Sequence, residues 1–106
     1  MDAVVTLVMG RVSPDAQMAL IEHYREALGQ GLPPDISQTM LIRDGDEIGI
    51  LSVWPRREDL AAMLAGGEEP FARRLIREAG GTPSARVFDF VVGKRNTAVG
   101  VPDPSA

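Results

Sequence analysis

Thr39-Met40-Leu41-Ile42-Arg43-Asp44-Gly45-Asp46-Glu47-Ile48-Gly49-Ile50-Leu51-Ser52-Val53-Trp54 places two apolar runs, rich in β-branched residues, on either side of an Asp-Gly pair. Such a pair supplies the positive φ angles of a tight primed turn, so the stretch predicts a β-hairpin. With Asp44 and Gly45 as the two turn residues, Leu41 faces Ile48 and Thr39 faces Ile50 on one side of the sheet. Met40 then faces Gly49, and Gln38 faces Leu51, on the other. A four-residue loop keeps the same parity. One face carries Leu41, Ile48, Ile50 and Trp54, and the other carries Ile36, Met40, Ile42, Leu51 and Val53. A sheet with one wet face alternates apolar and polar residues. This hairpin does not, so both of its faces are expected to be covered.

The rest of the chain bounds what does the covering. Its 106 residues make one domain, and a domain of this size buries only roughly 60 to 68% of its unfolded surface. Hydrophobic content of 44% and charge of 25% are those of a folded globular chain. A net charge of −4 argues against nucleic acid as a partner, which calls for a basic face. Cysteine is absent, so disulfides and thiolate metal sites are excluded, in keeping with a reducing compartment. The start Met1-Asp2-Ala3-Val4-Val5 has no basic n-region, and no apolar run approaches the roughly 18 residues of a membrane span. The expected location is cytoplasmic, with no membrane partner.

Val4 to Arg11 alternates and is β-branched on both parities, which predicts an interior strand. Ser13 then offers a helix cap, Pro14 suits the first helical position, and Asp15 complements the positive end of the dipole. Leu20, Ile21, Tyr24, Ala27 and Leu28 fall at helical spacing, with Glu22, Arg25 and Glu26 on the other side. Gly29, Gly31, Pro33 and Pro34 end that helix. After the hairpin a helix begins near Arg56, with Leu60, Met63 and Leu64 as its stripe. Gly66-Gly67 interrupts it, Pro70 restarts it, and Gly80-Gly81 closes it. Arg86 to Val92 predicts the last strand.

The order strand, helix, strand, strand, helix, strand is the split βαβ, ferredoxin-like plan: an α+β fold with a four-stranded antiparallel sheet and its helices on one face. Residues 1–93 form this domain. Residues 94–106 lose the pattern and make a tail, either loose or held by a neighbouring chain. Because the helices cover only one face, a second copy packed sheet to sheet is the expected partner.

Ile50-Leu51-Ser52-Val53-Trp54, followed by Arg57-Glu58-Asp59-Leu60 and a Gly-broken helix with Phe71 to Leu75, resembles the dimeric α+β barrel proteins of the antibiotic biosynthesis monooxygenase type. The likeness spans residues 4 to 92. It implies a homodimer whose two sheets form a barrel and a ligand cavity in each subunit between sheet and helices. The family includes cofactor-independent oxygenases of quinols, haem-degrading enzymes and proteins without an assigned activity. The haem-degrading pattern has an Asn on the first strand and an iron-ligating His on the second helix; this chain has neither, so no cofactor is implied.

His23 is the one histidine. Beside the apolar stripe of the first helix it is a candidate acid or base toward a cavity, or else an ordinary helix-surface residue. Trp54 is a candidate stacking platform for a planar aromatic ligand, or else packs under the helix that follows it. Tyr24 offers a hydroxyl to a cavity, or else joins the helix stripe. Asp89 is placed on the dimer-facing side of the last strand, where it needs a partner such as Arg11, Arg43 or Arg86. No serine has a nucleophile-elbow context, no glycine pair opens a phosphate cradle, and one histidine makes no metal cluster. Two functions follow: a cofactor-independent monooxygenase-like protein that binds a small planar aromatic compound, or a non-catalytic dimeric protein of the same fold.

Overall fold

The computed structural model describes residues 3–94. Its elements run β1 (Val4–Arg11), α1 (Pro14–Gly29), β2 (Gln38–Asp44), β3 (Glu47–Trp54), α2 (Arg57–Ala65), α3 (Phe71–Glu78) and β4 (Ser84–Asp89). The four strands form one antiparallel sheet in the order β2-β3-β1-β4. This is the ferredoxin-like α+β plan, with the second helical stretch split in two. Most of the anticipated tail, residues 95–106, lies outside the described residues.

Local chemistry accounts for the element boundaries. Ser13 Oγ accepts the Ala16 N–H at 3.3 Å and Pro14 opens α1, which satisfies one orphan donor and loses none. The hairpin differs from expectation by one step. Its two-residue turn is Gly45-Asp46, with Asp44 opposite Glu47, so Leu41 pairs with Ile50 and Thr39 with Ser52. Gly45 carries φ +61° and, among the described residues, positive φ is confined to glycines, as a type II′ turn with Gly first requires. The parity, and hence the assignment of residues to faces, is unchanged.

The last strand also differs, ending at Asp89 rather than Val92. β1 supplies its ladder, and that register closes at Val4 opposite Asp89. One further bond, from the Phe90 N–H to the Ala3 carbonyl, follows at 3.0 Å.

All helices pack on one side. Val8, Ile48 and Ile50 of the sheet meet Leu20 and Tyr24 of α1 and Leu75 and Ile76 of α3 in the main cluster. Val4 and Trp54 meet Leu60 of α2 in a smaller one. Gly10 lets α3 approach: a Cβ there would lie 2.5 Å from Ile76 Cγ2. The opposite face carries Val5, Leu7, Met9, Met40, Ile42, Leu51, Val53 and Phe88, intermediate to exposed in this single chain, with no helix upon it.

Asp89 is on the helix side, against the expectation of the bare side. It shares its register position with buried Val4, and its partner is Arg57 at the start of α2. The arginines proposed for it are engaged elsewhere. Arg11 bridges Asp46 and Glu47, Arg86 lies over the Phe88 ring, and Arg43 reaches Gln17.

Candidate functional site

Between α1 and the edge strand β2 lies an open pocket of about 290 Å³. Ile21, Tyr24 and Arg25 form its helical wall, and residues Met40 to Arg43 with Ile48 form the sheet wall. It arises because β2 is the last strand on its side, so the sheet ends beneath α1 and leaves a gap that no further strand fills. The walls are chiefly apolar, with one phenol and two guanidinium groups, a composition suited to a small organic molecule.

Tyr24 is the member of the expected site that lines this pocket. Its ring is buried in the main cluster, and its hydroxyl is 2.9 Å from Thr39 Oγ1, which is 3.1 Å from Ser52 Oγ. Thr39, Ser52 and Thr6 occupy paired positions on β2, β3 and β1. They form a row of hydroxyls across the helix side of the sheet, between the two apolar clusters. Burial pushes the Tyr24 phenol above its ordinary value, the Thr39 hydrogen bond opposing. At neutral pH it is therefore a neutral hydrogen-bonding group rather than a base.

Trp54 closes the other end of that row. It is 5% exposed, packed with Val4 and Leu60, and its indole N–H donates to Thr6 Oγ1 at 3.2 Å. It does not line the pocket, and neither does His23, which is exposed on α1.

Thr39, Ser52, Gln17 and Arg43 were missed by sequence reasoning. The hydroxyls had a signal: Thr6, Thr39 and Ser52 are small polar interruptions of apolar strands that share one parity. Gln17 had none. It is 3% exposed, and its side-chain amide donates to the carbonyls of Val12 at 3.0 Å and Gly45 at 2.9 Å. One amide thus ties α1 to both the end of β1 and the hairpin turn.

The chain contains a single tyrosine, so its titration can be read directly. The unfolded chain loses the Tyr24 proton near the ordinary value of about 10, whereas the folded chain holds it to higher pH. Stability is therefore complete below about pH 10 and falls as pH rises toward the folded value. In a titration followed at 295 nm, tyrosinate is expected to appear late and together with loss of near-ultraviolet dichroism. Ionisation at the ordinary value in an intact fold would contradict the burial.

The class defined by this architecture is a ferredoxin-like α+β protein with one bare sheet face and a pocket under its first helix. The chain has the fold of solved structures described as antibiotic biosynthesis monooxygenases and as a cofactor-independent oxygenase, as the hairpin and its Trp-acid junction suggested. It superposes on SnoaB, a cofactor-independent oxygenase from Streptomyces nogalater, with a TM-score of 0.56 at 14% identity, covering 93% of this chain and 100% of that one. A candidate antibiotic biosynthesis monooxygenase from Chloroflexus aurantiacus gives 0.59 at 20% identity, with coverage of 88% and 97%. A protein of unknown function from Nitrosomonas europaea gives 0.68 at 16% identity, with coverage of 92% and 98%. No family model and no curated protein matches the chain. Among the described residues no helix is long and apolar enough to cross a membrane.

Proposed function

We propose that this protein is a homodimer closed through its bare sheet face, and that its α1–β2 pocket binds a small planar aromatic compound and supports its oxygenation without a cofactor. The observation that carries this reading is the pocket itself: apolar walls and a buried phenol, on a fold shared with a cofactor-independent oxygenase. In such a reaction the substrate supplies the electrons. For an anthrone, one atom of dioxygen becomes the ketone oxygen on the methylene carbon. The other leaves as water with the two methylene hydrogens, giving the anthraquinone. The protein's part is to hold the ring against Ile21, Leu41 and Ile48, orient it with the Tyr24 hydroxyl, and exclude water from the reacting carbon.

Oxygen uptake on a panel of hydroquinones and anthrones tests the catalytic half. Turnover above the rate of autoxidation is expected, unchanged in His23→Ala because that imidazole faces solvent. Uptake no faster than autoxidation across the panel overturns it. A second reading, a dimeric binder that does not transform its ligand, is favoured by one specific observation. The titratable group on the pocket wall that could accept a proton, Tyr24, is held neutral and already engaged by Thr39.

A further inference from the structure

Granted that the α1–β2 pocket is a ligand site, we infer that its ligand is an aromatic acid, a flat ring system bearing a carboxylate that Arg43 receives at the pocket rim. Arg43 is on the edge strand with the same parity as Thr39 and Leu41, so its stem runs along the pocket wall beside Ile48, its register partner. Its guanidinium reaches Gln17 Oε1 at 3.4 Å. That oxygen is not free to turn away, because both N–H groups of the Gln17 amide are committed to main-chain carbonyls. The amide is fixed by its network, and its oxygen therefore holds the guanidinium in place.

Among the described residues, no carboxylate stands within ion-pair distance of Arg43, Arg73, Arg74 or Arg86, whereas Arg11, Arg25, Arg56, Arg57 and Arg77 each have at least one, and of those four unpaired arginines only Arg43 lines the pocket. A guanidinium stays charged at any working pH, and its planar fork matches a carboxylate. Arg25 adds a second positive charge on the opposite wall, shared with Glu22 at 3.7 Å. An acidic chain that directs two cations into one apolar pocket, and holds the first with a neutral amide, has an anion-shaped preference at that rim. A neutral ring would leave the guanidinium with one long protein hydrogen bond, to Gln17 at 3.4 Å, and no charge-assisted partner.

The test uses the whole chain, labelled with nitrogen-15, titrated with 2-naphthoate and with its neutral isostere 2-naphthamide. The amides of Ile21, Tyr24, Leu41 and Ile48 are expected to shift with both. Naphthoate is expected to bind about tenfold more tightly, as a charge-assisted pair allows. Arg43→Gln should bring the two ligands to equal affinity while Arg43→Lys keeps part of the difference, and the same spectra report whether each variant is folded. Equal affinities in the unsubstituted protein, or a naphthoate preference that survives Arg43→Gln, overturn the aromatic-acid inference and leave the pocket standing. If neither compound moves those four amides, the pocket reading falls and takes this inference with it.

Discussion

Ile76→Ala is expected to lower the stability of the fold by about 4 kcal/mol, the upper part of the range for truncating a buried isoleucine. Ile76 has no exposed surface. Its Cγ2 sits where a Cβ on Gly10 would come within 2.5 Å and one on Gly81 within 2.9 Å. Gly10 on β1 and Gly81 just after α3 thus leave a notch, and the methyl fills it. When the methyl is removed the notch stays open, because glycine has no side chain to swing into the space. For a domain whose whole stability is about 5 to 15 kcal/mol, this is a large share. Urea denaturation with an unchanged slope and a much lower midpoint is the expected record. A loss under about 1 kcal/mol would show that α3 resettles onto β1.

Leu7→Glu is expected to separate the proposed dimer into monomers without unfolding them. Leu7 lies on the bare face of a central strand, between Leu51 on β3 and Arg86 on β4. It belongs to neither helix-side cluster, so the fold does not rely on it. In a sheet-to-sheet dimer, a glutamate here would bury one carboxylate from each copy near the other, at a cost that weakens association by at least about a hundredfold. Light scattering after size exclusion should show twice the 11.4 kDa chain mass before the change and the chain mass after it. A monomer before the change removes the dimer, and with it the account of the doubly apolar strands.

Much of this architecture was legible because strands and helices differ in period. The alternation from Val4 to Arg11 located β1 to the residue. The parity of the hairpin grouped Leu41, Ile48, Ile50 and Trp54 on one face and Met40, Ile42, Leu51 and Val53 on the other, as found, without telling which of the two the helices cover. The turn was harder. Asp44-Gly45 and Gly45-Asp46 both satisfy a glycine-containing primed turn, and only the pairing of Asp44 with Glu47 selects between them.

Asp89 was assigned to the wrong face for a related reason: parity within β4 is plain from sequence, but which parity meets the helices depends on its register with β1. The pocket was the least legible part. It comes from where the sheet stops, and from a buried glutamine that joins the nearby Val12 carbonyl to the carbonyl of Gly45, 28 residues away. Hydrophobic periodicity carries no trace of either.

The strand order places β1 inside the sheet, flanked by β3 and β4. During synthesis residues 4–11 leave the ribosome well before their partners at 47–54 and 84–89. β1 thus waits with both edges unsatisfied until β3 and then β4 follow, and the nascent domain is most open to mispairing or chaperone capture in that interval. Linking the sheet's interior to the far end of the domain also makes its contacts long-range, so folding is expected to be slower than in a helical bundle of equal length.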